Sequence, residues 1–97
     1  MRKIIIRVVI AAVILLVGIG VFQWHNYQQK VEYRKEALLY FKEEDYSKTI
    51  SYLGQALKLQ SVFAGKLDLD MTCYLAESHY QLKEYDEAEK IYDKLIN

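Results

Sequence analysis

Residues 4–22 form an apolar run of nineteen positions broken by one charge, Arg7. At a helical rise of about 1.5 Å per residue, such a run covers roughly 28 Å, close to the hydrocarbon thickness of a bilayer. The pattern then changes period. Tyr33, Ala37, Tyr40 and Phe41 recur at helical spacing, a polar turn follows at Glu44-Asp45, and Thr49, Ile50, Leu53, Ala56 and Leu57 take up the stripe again. The same order returns further on: Leu75, Ala76, His79 and Tyr80, a turn at Lys83-Glu84, then Ala88, Ile91, Tyr92, Leu95 and Ile96. Tyr46 and Tyr85, which open the second helix of each unit, lie thirty-nine residues apart, a period that points to a duplicated helical hairpin.

Proline is absent and only four glycines occur, so little interrupts a helix and the chain reads as nearly all α. The short His25-Asn26-Tyr27-Gln28-Gln29-Lys30 segment holds neither residue, and the apolar helix is expected to run on into the first hairpin. Small residues face each other across each turn, Ala37 with Thr49 and Ala76 with Ala88, where antiparallel helices approach closely. Beyond Leu57, the apolar residues Leu59, Val62 and Phe63 are expected to lengthen the second helix until Gly65 caps it. Asp68 or Asp70 then serves as the N-cap of the third.

Net charge is zero overall, but residues 1–35 carry six basic groups against one acid, and residues 36–97 seven against twelve. An acidic second half argues against nucleic acid, whose affinity rests on basic groups meeting phosphate. Arg2, Lys3 and Arg7 crowd the start of the apolar run, Arg7 near enough to its end to snorkel, while Trp24 and Tyr27 suit the far interface. These flanks predict a single pass through the cell (inner) membrane, with the N-terminus cytoplasmic and the helical domain outside. Gly18-Ile19-Gly20 offers a weaker alternative, a signal peptide cut there to release a secreted protein.

The hairpin residues resemble the tetratricopeptide repeat family. Tyr33, Ala37, Tyr40, Tyr46, Thr49, Leu53 and Ala56 match its pattern in the first unit; Leu75, Ala76, Tyr85, Ala88 and Tyr92 match it in the second. The chain departs from the pattern at Glu36, Thr72, His79 and Leu95, and Ser61 replaces the usual proline. The resemblance covers about residues 30–97 and implies antiparallel helical hairpins there; with the apolar run this gives an expected all-α fold, an N-terminal transmembrane helix (residues 1–27 with the interface), then a domain over 28–97 with repeats at about 30–63 and 69–97. It also implies a partner groove lined by helix residues between the packing positions. Here those are Val31, Arg34, Leu38, Phe41 and Lys42, then Cys73, Tyr74, Glu77, Tyr80 and Gln81.

Lys35 and Leu38 occupy the places where carboxylate-clamping members carry asparagines, so a mixed aromatic groove for a helix or extended peptide is expected instead. The Ile91-Leu95-Ile96 edge, with no polar helix after it, is expected to receive further repeats, a second copy or another protein, and a self-associating assembly subunit of a membrane complex is the alternative role. Chemistry has little foothold. Cys73 is the only cysteine and has no basic neighbour, no phosphate-binding glycine loop occurs, and the acid pairs read as turn and cap residues. The expectation is a protein that binds protein or peptide, without enzymatic activity, metal or cofactor.

Overall fold

The computed structural model describes residues 1–96, and within them every element is a helix. Helix α1 covers Arg2–Lys42, α2 Tyr46–Lys58, α3 Gly65–Gln81 and α4 Tyr85–Ile96. The first is a single rod of 41 residues. At about 1.5 Å per residue it is about 62 Å long, and it accounts for most of the molecule's 66 Å extent. No glycine or proline falls between Val21 and Lys42, so the backbone has no reason to break there.

The two halves of α1 meet different surroundings. Residues 4–22 are exposed apart from the half-buried Gly20, and the apolar stretch is long and hydrophobic enough to cross a membrane. A signal sequence near the N-terminus would pass the same test. From Gln23 onward the rod is part of the folded domain. Its C-terminal half packs on α2, α2 on α3, and α3 on α4.

The core is small and made of short side chains. Ala37, Leu53, Ala56 and Met71 form its buried centre, with Tyr33, Tyr52, Leu57, Leu67, Tyr74 and Leu75 packed around them. Thr49 is fully buried; its hydroxyl lies 2.9 Å from Asp45 O and 3.3 Å from Ala37 O, so the polar group is satisfied where the helices touch. Ala76 and Ser78 on α3 and Ala88 on α4 are buried as well. Of Tyr85 and Tyr92, expected as packing residues of the second unit, Tyr85 is 53% exposed, while Tyr92 is 37% exposed and more than half covered. No described element covers the outer side of α4, so aromatics that would be sandwiched within a longer stack here have one open face.

The two interhelical turns are copies. In the first, Glu43, Glu44 and Asp45 donate their backbone N–H groups to Leu39, Phe41 and Tyr40. In the second, Leu82, Lys83 and Glu84 donate to Ser78, Tyr80 and His79, each thirty-nine positions on. Glu44 (φ 61°) and Lys83 (φ 65°) both adopt the left-handed conformation that closes a helix in this manner. Asp45 then caps α2 by accepting the Lys48 N–H at 3.2 Å.

The connection between α2 and α3 departs from expectation. Helix α2 stops at Lys58 and is not prolonged; Leu59 turns extended (ψ 132°), and residues 59–64 form a loop. Gly65 begins α3 instead of ending α2, and the N-cap position belongs to Ala64, not to Asp68 or Asp70. The loop finds better partners than a longer helix would, because α1 supplies donors and acceptors for its backbone.

Candidate functional site

Those partners start at the first polar residue beyond the apolar run. Ser61 Oγ donates to Gln23 O at 2.9 Å, the Val62 N–H to Gln23 Oε1 at 3.0 Å, and Asn26 Nδ2 to Gln60 O at 2.8 Å. One turn on, Lys30 Nζ donates to Asp68 Oδ1 at 2.5 Å, and Arg34 Nε to Asp70 Oδ2 at 2.6 Å. Asn26, Lys30 and Arg34 are spaced i, i+4, i+8 and therefore share one helical face. Together these contacts clamp α1 to the loop and to the first turns of α3.

Lys30 is the centre of the clamp. Its side chain is completely buried, whereas that of Asp68 keeps 38% of its surface exposed. An ammonium removed from water needs a counter-charge and hydrogen bonds to survive, and here Asp68 provides both. Asp68 also stands in the first turn of α3, where the helix dipole favours an anion. The two aspartates expected to cap a helix thus hold α3 against α1. Nothing in the spacing of the chain foretells this clamp, and its only local trace is the polar stripe of Asn26, Lys30 and Arg34 directly after the apolar run.

A depression of about 360 Å³ lies along α1, lined by Val31, Arg34, Lys35, Leu38, Leu39 and Lys42. It gathers Val31, Arg34, Leu38 and Lys42 of the expected groove. Arg34 is already engaged by Asp70, with its guanidinium carbon 6.0 Å from the centre of the Tyr74 ring. Phe41 is half-buried, wedged edge-on between Tyr46 and Tyr74 at 5.6 and 5.2 Å, and belongs to the packing.

The residues expected from α3 do not line this depression. Glu77 accepts hydrogen bonds from Gln81 Nε2 at 2.9 Å and from the Tyr92 hydroxyl at 3.4 Å. Burial and the Glu77 carboxylate both push the Tyr92 pKa above its ordinary value of 10.0. Tyr80 meets Tyr85 edge-on at 5.2 Å beside the second turn, and Cys73 is exposed.

A second depression, of about 390 Å³, lies between α1 and α2 and is lined by His25, Gln28, Gln29, Glu32, Tyr33, Glu36 and Tyr52. Tyr52 stacks on Tyr40 at 5.4 Å and tilts against Tyr33 at 6.4 Å. Its pKa is raised, chiefly by the neighbouring Tyr40. Among the described residues no group of three or more His, Cys, Asp or Glu side chains converges as metal ligands would.

Trp24 and Tyr27, expected at the membrane interface, stack at 5.7 Å just past the apolar run. Arg7 lies exposed near the other end of that run. No family model matches this chain, and no curated protein or solved structure does.

Proposed function

We infer that the protein is a membrane-anchored interaction module. Residues 4–22 cross the bilayer with the N-terminus in the cytoplasm, and the domain from residue 28 onward is a pair of tetratricopeptide-like hairpins that docks a protein segment outside. The observation that carries this reading is the unbroken course of α1 from an exposed apolar stretch into a clamped, packed domain. A row of bare isoleucine, valine and leucine side chains of this length is untenable in water and at home in lipid. The repeat assignment draws its support from the two turns, whose backbone hydrogen bonds recur at one fixed offset.

The chemistry of the partner follows from the depression along α1. Leu38 and Leu39 offer apolar surface between the ammonium groups of Lys35 and Lys42, while Arg34 is occupied by Asp70. Such a surface suits an amphipathic segment carrying both apolar and acidic side chains. Binding it would hold the partner at the membrane surface.

The test is photocrosslinking in intact membranes from a benzophenone side chain at position 38, with position 89 on α4 as the control. A discrete adduct from position 38 that disappears with Leu39→Asp plus Lys42→Glu is the expected result. Equal labelling from positions 38 and 89 removes the docking assignment. Recovery of a chain shortened at Gly20 by intact-mass measurement removes the anchor.

A further inference from the structure

The loop of residues 59–64 lies at a defined level along α1. Gln23 is the first residue past the apolar run, and it binds both the Ser61 hydroxyl and the Val62 N–H. The tip of the loop is therefore level with the end of the span. Its two large side chains face outward: Val62 is 79% exposed and Phe63 55%. The Phe63 ring meets Trp24 edge-on at 6.3 Å, and Trp24 in turn stacks on Tyr27. Apolar and aromatic groups from two separate segments are thus gathered at the height where a bilayer's interfacial layer begins.

The charges around the loop fit the same surroundings. From Tyr46 to Leu67 the chain carries no acidic residue, and the exposed Lys58 and Lys66 bracket the loop on either side. An apolar tip flanked by ammonium groups matches the acyl and headgroup boundary of a membrane that contains anionic lipid. Neither Val62 nor Phe63 belongs to the buried core; the root of the loop is fixed instead by the buried Ala64.

We propose that this loop is a second membrane contact, with Val62 and Phe63 seated in the interfacial layer of the leaflet from which α1 emerges. The proposal rests on residues 4–22 being a bilayer span. The occupant of the patch is that same bilayer, because the hydrogen bonds to Gln23 make the loop continuous with the end of the span. Held at both points, the domain has a fixed face toward lipid, and the depression along α1 keeps a fixed orientation above it.

The full chain is reconstituted in vesicles of phosphatidylcholine and phosphatidylglycerol, in a Trp24→Phe background, with Phe63→Trp as reporter and, in a separate chain, Tyr92→Trp on α4 as control. Lipids brominated near the top of the acyl chain are expected to extinguish most of the emission from the loop reporter and leave that of the α4 control unchanged, while aqueous acrylamide gives the reverse order. A nitroxide on Val62→Cys in a Cys73→Ser background should agree, relaxing faster with oxygen than with a water-soluble nickel chelate. Retention of the chain in the membrane after alkaline carbonate, with the loop reporter as open to acrylamide as the α4 control, overturns the loop contact and leaves the span intact. Release of the chain by carbonate overturns both.

Discussion

Lys30 and Asp68 form an unequal pair. The lysine is fully buried and the aspartate is more than a third exposed, so the two charges depend on each other to different degrees. Removing the carboxylate strands an ammonium without its counter-charge, a loss that typically costs about 3 kcal/mol. Removing the ammonium leaves a carboxylate that turns to water, and a methionine of similar length fills the space. Asp68→Asn is therefore expected to destabilise the domain by about 2–3 kcal/mol, and Lys30→Met by less than half as much. Urea unfolding of the full chain in micelles, followed by near-ultraviolet circular dichroism of the tyrosines, ranks the two. Equal losses would mean that Asp68 is as dependent on the pair as Lys30. The sequence offers no route to this pairing, because the partners stand 38 positions apart and an aspartate early in a helix has a sufficient local explanation as a cap.

At the scale of elements, what repeats is legible in the chain and what connects is not. The helical stripes and the polar turns follow from local spacing, and the structure places four helices where those patterns run. Tyr46 and Tyr85 do begin equivalent helices after equivalent turns. Periodicity misplaces the end of α2 because Leu59, Val62 and Phe63 continue an apolar stripe that any such argument extends. What stops the helix is tertiary: Gln23 and Asn26 on α1 take over the hydrogen bonding of residues 60–62. Of the residues expected to line a groove, only residues of α1 border a depression, and the polar contacts that occupy Arg34 and Glu77 depend on neighbours from other helices. The turns themselves carry a removable strain. Glu44 and Lys83 hold left-handed backbone that costs a residue bearing a Cβ about 1–2 kcal/mol, partly offset in glycine by its greater freedom when unfolded. Lys83→Gly, which leaves the Glu84 pairing with His79 untouched, is expected to raise stability by about 0.5–1 kcal/mol. The midpoint of thermal unfolding measures it, and a lowered midpoint would contradict the left-handed assignment at this turn.

For the whole molecule, the decisive property is that one helix joins an exposed apolar stretch to a packed domain without a joint. The polar clamp lies on a single face of α1, so the direction of the apolar rod and the orientation of the domain are coupled through helical phase. Adding one residue to an α-helix rotates everything beyond it by about 100°. An alanine inserted after Gln28 keeps the rod helical but separates Gln23 and Asn26 from the face that carries Lys30 and Arg34. The loop can then satisfy either Gln23 or its own root at α3, not both. Chymotrypsin is expected to cut the native chain slowly at Phe63 and in the Trp24 to Val31 segment, since the loop is hydrogen-bonded to α1 and the segment is itself helical. In the insertion variant, cleavage at Phe63 should accelerate while the Trp24 to Val31 segment stays resistant, because the helix persists and only the clamp is lost. Rapid cutting between Trp24 and Val31 in the native chain would instead mean a flexible tether, and the rigid mounting of the domain on the apolar rod would fall.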